Sequence, residues 1–208
     1  MSQSPKPSLS QIVQNQFTII ASFVAIFWVV ELLDIFVFHH HLDQFGIRSH
    51  NLIGLRGILF APFLHGGLGH LIANTIPFII LAWLVMLQET SDFWIVTAIT
   101  MIVGGLGVWV FAPEYTVDIY GRRLINYHIG ASIFIFGYLG FLLFRGYFQR
   151  NIASIALSLL VFFTYSSALW GLFPGRPGIS WQGHLFGFIG GAIAAKLIAK
   201  EKHTYAGK

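Results

Sequence analysis

Hydrophobic residues run in six long stretches along the chain, and short polar or helix-breaking segments separate them. A helix needs about 20 apolar residues to cross the hydrocarbon core of a bilayer, within a range of roughly 17–25. The six stretches that approach this length are Phe17–Phe38, Leu71–Leu87, Phe93–Phe111, Ile129–Phe144, Ile152–Leu172 and Trp181–Ala199. The pattern predicts an all-α, polytopic membrane protein in which six transmembrane helices form one bundle.

The same pattern indicates one membrane domain with short polar ends. We expect a polar N-terminus over residues 1–16, a single domain over residues 17–200 and a polar tail over residues 201–208. The longest connection runs from His39 to Leu64 and is only moderately polar, which favours a position in the membrane interface. A long connection in a compact chain is usually functional or disordered.

Composition supports a membrane protein and excludes several other classes. Apolar residues make up 56% of the chain and charged residues 10%, whereas soluble proteins carry about 25% charged residues. The net charge of +4 is spread without a basic run, so we expect no nucleic-acid partner. The absence of cysteine excludes disulfides, thiolate metal sites and cysteine nucleophiles.

The distribution of Lys and Arg indicates how the chain is oriented. Six spans place both termini on one side of the membrane, and that side carries seven of these residues against five on the other. Positive residues are enriched in cytoplasmic segments. We therefore expect a multi-pass protein of the cell membrane whose termini are cytoplasmic.

A first polar cluster opens the second span. Polar groups inside a membrane are costly unless they are paired or hydrated, so each is a functional candidate. His65, His70 and Asn74 lie there, and the last two are four residues apart and share a helix face. The alternative is a polar helix entry whose Asn joins two helices. A metal site is not expected here, because the segment offers no third ligand at a suitable spacing.

Two further polar residues open the fourth and sixth spans. Ser132 follows Gly130 near a helix start, where free N–H groups favour a developing anion. His184, Gly187 and Gly191 share one face of the sixth span, and such small residues permit close helix approach. Each feature alone has a simpler explanation, namely a small packing residue and an incidental histidine beside a packing stripe.

The alternating topology brings these features together. Even-numbered spans enter the bilayer from the same side, so all three polar clusters lie at one depth. Ser132 and His184 then provide a nucleophile and a base, while His70 and Asn74 provide donors for an oxyanion. No Asp or Glu occurs in the second, fourth, fifth or sixth span, so the pattern indicates a Ser–His dyad.

Three ordered motifs over residues 17–200 resemble the rhomboid family of intramembrane proteases. They are H-x4-H-x3-N at His65, His70 and Asn74, G-x-S at Gly130 and Ser132, and H-x2-G-x3-G at His184, Gly187 and Gly191. The resemblance implies a six-helix bundle with a water-filled site open to the outer side. It also implies Ser132 as nucleophile, His184 as general base, His70 and Asn74 as oxyanion helpers, and His65 as a supporting cavity residue.

The implied reaction is hydrolysis of peptide bonds in or near transmembrane segments of other membrane proteins. Its partners are those substrates and the lipid bilayer, with no cofactor and no metal.

Three positions depart from the family's pattern. Leu55-Arg56 replaces a Trp-Arg pair, so Arg56 is expected to order the first loop alone. Ile133 replaces a Gly and could narrow the oxyanion pocket, and Phe136 replaces a Tyr that stacks on the base.

Other readings remain open at the level of sequence. A rhomboid-like protein could bind membrane clients without cutting them, although intact Ser132 and His184 argue against this. A small transporter predicts charged residues at mid-span, and none occurs in spans two to six. A metal site at His39–His41 competes with a solvated helix end, which is favoured. Glu31 and Asp34 are interpreted as interfacial groups, either hydrated or paired with a loop arginine.

Overall fold

The computed structural model describes residues 7–175 and 178–206, with side chains described to residue 200. Six helices in this part of the chain are long and apolar enough to cross a membrane, which confirms the predicted all-α bundle. These helices are α1 Leu9–Leu33, α3 Leu68–Met86, α4 Thr90–Phe111, α5 Ser132–Gln149, α6 Ile152–Tyr165 and α7 Trp181–Ala206. A π-helical turn, Asp34–Phe38, extends α1, and a 3₁₀-helix, Ser166–Leu172, extends α6.

Helix α1 begins inside the segment expected to be a polar N-terminus. The hydroxyl of Ser8 accepts a hydrogen bond from the N–H of Gln11, and the Gln11 side chain accepts one from the N–H of Ser8. This capping box fixes the helix start, because each side chain satisfies a backbone donor of the other residue. Residues 1–6 lie outside the described residues. At the other terminus α7 continues to Ala206, into the predicted tail.

Helices α5 and α7 approach each other at their glycines. A Cβ on Gly187 would lie 2.5 Å from the carbonyl oxygen of Ile133. A Cβ on Gly191 would overlap the carbonyl oxygen of Gly137. Only glycine permits this backbone-to-backbone contact, so the small-residue stripe of α7 is a packing surface against α5.

A buried ion pair joins α4 and α5 near the end of α5. Arg145 Nη2 lies 2.8 Å from Asp92 Oδ2, and both side chains are almost fully buried. Arg145 Nε also donates to Gln149 Oε1 at 3.1 Å. The predicted fourth span ends too early, at Phe144, because α5 continues through Arg145, whose charge Asp92 neutralises. Arg145 is one of the seven Lys and Arg residues counted on the side of the termini, and its paired charge does not act as a free positive charge.

The face of the bundle at which α3, α5 and α7 begin is covered by loops, and it is called the site face below. The long first loop contains a 3₁₀-helix, Leu52–Arg56, and the short helix α2, Gly57–Phe60. The guanidinium of Arg56 lies 4.5 Å from the ring centre of Phe45 and its Nη2 donates to the carbonyl of Gln44. Arg56 thus contacts the first loop at two neighbouring residues, and its role in ordering that loop stays a prediction.

The connection between α4 and α5 forms a small antiparallel hairpin that the sequence pattern does not predict. Its strands are β1 Tyr115–Val117 and β2 Arg123–Ile125. Beyond β2, His128 and Ile47 exchange two backbone hydrogen bonds, of 2.9 and 3.0 Å. These bonds tie the first loop to the segment that leads into α5.

Candidate active site

Ser132 is the first residue of α5, and the turn before it depends on glycine. Gly130 has a φ of +117°, a conformation that residues with a Cβ rarely adopt. Its N–H donates to the carbonyl of Ala61 at 2.8 Å, which fixes the turn against the first loop. Because Ser132 opens the helix, its N–H has no carbonyl one turn earlier to bind. The hydroxyl therefore sits beside free backbone donors and the positive end of the α5 dipole.

His184 near the start of α7 is held in one tautomer. Its Nδ1 lies 2.9 Å from the carbonyl oxygen of Gly171, in the 3₁₀-helix that follows α6. A carbonyl oxygen can only accept, so Nδ1 carries the proton and Nε2 of the neutral ring is free to accept one. The ring stacks on Phe136, with centroids 4.0 Å apart and planes 11° apart.

The stack relates His184 to Ser132. Phe136 lies four residues after Ser132 on α5, so the two side chains share one helix face about one turn apart. The His184 ring therefore lies against the face of α5 that carries Ser132. Among the described residues no hydrogen bond joins Ser132 Oγ to His184. Serine–histidine contacts are often loose without substrate and tighten when it binds.

His70 and Asn74 on α3 face the turn at Gly130. The N–H of Gly66 donates to His70 Nδ1 at 3.4 Å, so the proton of the neutral His70 ring is on Nε2. A Cβ on Gly130 would lie 2.7 Å from His70 Nε2 and 3.8 Å from Asn74 Nδ2. Asn74 Nδ2 is buried and has no hydrogen-bond acceptor among the described residues. Two side-chain donors thus point toward the turn that leads into Ser132.

His65 lies behind this pair and is fully buried. The N–H of Ala131 donates to His65 Nε2 at 3.4 Å. The ring centre of His65 lies 5.3 Å from that of His70 and 5.6 Å from that of Phe27. Burial, with a smaller contribution from His70, lowers the pKa of His65 to about 3, so the ring is neutral at pH 7. The contact to Ala131 places His65 where it supports the turn before Ser132.

The two departures near Ser132 have different structural consequences. The side chain of Ile133 packs into the notch at Gly104 of α4, since a Cβ on Gly104 would lie 2.6 Å from its Cδ1. Ile133 also borders the small cleft that contains Ser132. Phe136 keeps the predicted ring stack on His184 without a hydroxyl. The side chain of Ile133 is thus accommodated by a neighbouring helix.

The sequence analysis did not identify the carbonyl of Gly171 as a site group, and it predicted the wrong environment for Glu31 and Asp34. A backbone carbonyl carries no signal in the sequence, so no motif indicates Gly171 as the partner of His184. Glu31 and Asp34 are each 1% exposed. The ion pairs found among the described residues involve other acids, so the interpretation as hydrated or arginine-paired groups is wrong. The reason is that the loop after α1 folds back and covers them.

The fold and the site together define a class, namely a six-span helical membrane protein whose polar groups meet at the start of a central helix. A family model of the Rhomboid domain matches residues 54–201. The chain belongs to the rhomboid family.

Three bacterial proteins are similar to this chain over most of its length. The uncharacterized protein Rv1337 of Mycobacterium tuberculosis is 43% identical over 185 residues, covering 88% of this chain and 75% of the relative. The uncharacterized protein ML1171 of Mycobacterium leprae is 42% identical over 191 residues, covering 90% and 73%. YdcA of Bacillus subtilis, by its name a candidate rhomboid protease, is 28% identical over 151 residues, covering 69% and 68%.

Proposed function

We propose that this protein is an intramembrane serine endopeptidase that hydrolyses peptide bonds in or near transmembrane segments of other membrane proteins. The observation that carries the proposal is a pair of side-chain donors beside the start of α5, the Nε2–H of His70 and the amide of Asn74. The Asn74 amide nitrogen is buried and has no acceptor among the described residues. A buried donor of this kind is costly in a folded bundle unless it serves an anion that forms during a reaction.

In the first half of the proposed reaction, Ser132 Oγ attacks the carbonyl carbon of the scissile peptide bond. Its proton passes to Nε2 of His184, which the Gly171 carbonyl leaves unprotonated. The carbonyl oxygen becomes an oxyanion, and the Ser132 N–H, Asn74 and His70 donate hydrogen bonds to it. Collapse of this intermediate breaks the C–N bond, and the leaving amine takes the proton from His184.

In the second half, water replaces the amine. His184 removes a proton from this water, whose oxygen attacks the ester carbonyl formed with Ser132. The same donors stabilise the second oxyanion. Collapse breaks the bond between the carbonyl carbon and Ser132 Oγ, which takes the proton back from His184. The new C-terminus leaves as an acid and gives its proton to solvent water, so no cofactor or metal is needed.

The carbonyl of Gly171 takes the orienting role that an acid has in a three-member triad. It holds the ring angle and the tautomer of His184 through one hydrogen bond of 2.9 Å. Because a carbonyl is neutral, it stabilises the charged imidazolium less than a carboxylate does. The arrangement is therefore a dyad supported by the backbone, with no acid required in the membrane.

The membrane placement follows from the proposed orientation. With cytoplasmic termini in the cell membrane, the site face is the outer face, and Ser132 and His184 lie just inside it. The first loop presents exposed apolar residues at this level, as a loop in the interface requires; they are Leu52, Ile53, Leu59 and Phe60. The partners are then lipid and the transmembrane segments that reach this depth.

Labelling with a fluorophosphonate probe tests the proposal. The wild-type protein should react covalently, whereas Ser132→Ala and His184→Ala should not. Ser22→Ala and His50→Ala are matched controls outside the site and should label like wild type. Equal labelling of Ser132→Ala would place the chemistry elsewhere. A wild-type protein that neither labels nor cleaves, yet retains membrane clients, would favour the client-binding reading.

A further inference from the structure

The end of α1 folds back on itself. After the π-helical turn Asp34–Phe38, His39 and His40 adopt left-handed backbone conformations with φ of 49° and 64°. This reversal returns the chain over Asp34, whose Oδ1 accepts a hydrogen bond of 2.8 Å from the N–H of Leu42. As a result one ligand atom each of Asp34, His40 and Asp43 lies within 4.8 Å of the others.

A fourth residue, Glu31, stands one helical turn before Asp34 and is 1% exposed. Neither of its carboxylate oxygens has a hydrogen-bond partner among the described residues, although backbone N–H groups of His65 and Gly67 lie nearby. Its charge interacts with those of Asp34, His40 and Asp43. A buried carboxylate that interacts with two further acids is unfavourable unless their negative charges are offset, and a bound cation would offset them.

The other acids of the cluster also favour a bound cation. Asp34 Oδ2 and Asp43 Oδ1 are also buried without hydrogen-bond partners among the described residues. The nearby loop arginines are engaged elsewhere, Arg48 with Glu114 and Arg56 with Phe45. Asp34 and Asp43 therefore lie close together beside His40, and Glu31 interacts with them electrostatically from one helical turn before Asp34.

We propose that Glu31, Asp34, His40 and Asp43 form a binding site for a divalent transition-metal cation of the Zn²⁺ or Mn²⁺ class. Carboxylate oxygens and an imidazole nitrogen are the ligands that these ions accept, in sets of four or more. Two positive charges offset most of the three negative ones. The ligands of a bound Zn²⁺ lie roughly 2.0–2.2 Å from the metal. Asp34, His40 and Asp43 already supply three such atoms within 4.8 Å of one another.

The site is separate from the reaction proposed above and has a structural role. It fastens the start of the first loop to the end of α1. It also borders the backbone of His65 and Gly67, which precedes the α3 residues of the active site. The metal neither contacts Ser132 nor takes part in hydrolysis, so the site can be tested in Ser132→Ala protein.

The experiment measures Zn²⁺ binding to the full chain in detergent. Protein treated with a chelator is dialysed against graded free Zn²⁺, and bound metal is counted by mass spectrometry. We expect about one high-affinity Zn²⁺ per chain. His40→Ala and Asp43→Asn should each weaken binding at least about tenfold. The matched control is His39→Ala, which removes the neighbouring histidine and should bind like wild type.

Glu31→Gln provides a second test, based on melting temperature, that remains informative even if the other variants fold poorly. It removes the unpaired buried charge, so the metal-free protein should melt at a higher temperature than wild type. At the same time the increase in melting temperature that Zn²⁺ gives to wild type should shrink. The proposal is overturned if wild type binds no Zn²⁺, if His40→Ala binds as tightly as wild type, or if His39→Ala weakens binding equally. It is also overturned if Glu31→Gln melts at a lower temperature without metal and keeps the full response to Zn²⁺.

Discussion

The imidazole of His184 lies flat on the ring of Phe136, with centroids 4.0 Å apart and planes 11° apart. Phe136 is fixed on the central helix α5, one turn from Ser132, whereas His184 comes from α7. The stack therefore sets the height and tilt of the base relative to the candidate nucleophile. The hydrogen bond from His184 Nδ1 to Gly171 adds the remaining restraint, on rotation of the ring within its plane.

Phe136→Leu should reduce activity while leaving the fold intact. An aromatic stack is worth about 0.5–1.5 kcal/mol beyond burial, so the rate of fluorophosphonate labelling should fall by roughly two- to tenfold. Phe136→Tyr keeps the ring and should react at a rate close to that of wild type. Unchanged labelling in Phe136→Leu would show that the stack does not position His184.

Asn74→Ala should separate catalysis from stability. Loss of one oxyanion donor typically lowers kcat by about 100- to 1,000-fold. The melting temperature should hold or rise, because the variant removes a buried donor that has no acceptor within residues 7–175 and 178–206. Cleavage of a tagged single-span substrate and thermal unfolding in detergent measure the two quantities. A drop in melting temperature that accompanies the loss of activity would assign Asn74 to packing instead.

Gly171→Ala should impair the base directly. The new Cβ would lie 2.8 Å from Phe136 Cζ and 3.2 Å from His184 Nδ1, so both rings must shift. Displacements of about 1 Å in an active site can cost about 100-fold in rate. Gly69→Ala is the matched control, since its Cβ meets no heavy atom within 4 Å. Single-turnover cleavage should fall for Gly171→Ala alone, and equal rates for both variants would contradict the orienting role.

The Arg145–Asp92 pair should dominate stability at the opposite face. Breaking a buried ion pair by removing one partner costs about 3–5 kcal/mol, because the other charge stays buried. Arg145→Met and Asp92→Asn should therefore each lower the melting temperature strongly. The double variant should recover part of the loss, and folded protein of each variant should still label at Ser132. Additive losses in the double variant would show that the two residues act independently.

The contact between Arg48 and Glu114 should make stability depend on pH. Hydrogen bonds from Arg48 lower the pKa of Glu114 below its usual value of 4.5. The depressed folded-state pKa means that this contribution is fully present above about pH 4.5 and is lost as the pH falls through the lower, folded value. Wild type should lose melting temperature in that acidic range more steeply than Glu114→Gln. Parallel curves for the two proteins would remove Glu114 as the cause.

The bundle was predictable because lipid exposure leaves long uninterrupted apolar stretches in a sequence. The boundaries were less so. Helix α1 starts at Leu9 because a capping box and the buried Gln16, which donates to the carbonyl of Met86, extend it through polar residues. The apolar pattern ends the fourth span at Phe144, just before Arg145, because a charge normally ends a span and the partner of Arg145, Asp92, is 53 residues away. Pairing at long range leaves no local pattern.

The candidate site was likewise predictable only in part. Side chains with chemistry of their own, such as Ser132 and His184, stand out inside apolar spans. The carbonyl of Gly171 does not, since every residue has one. The cluster around Asp34 was also hidden, because its closure depends on two left-handed histidines that reverse the chain. Turn conformations of this kind follow from tertiary contacts more than from residue type.

The glycine contacts between α5 and α7 have a consequence for how substrates could be exchanged. The backbones of α5 and α7 are in direct contact there, without side chains between them. The distance between the helices that supply Ser132 and His184 therefore does not depend on side-chain rotamers. Helix α6 has mostly exposed side chains, and its close glycine contact with α5 lies at Gly146, near the end of α5 that is farthest from Ser132. Substitutions in α6, or a tilt of this helix, can thus change the opening through which a substrate's transmembrane segment enters. Ser132 and His184 would keep their positions relative to each other.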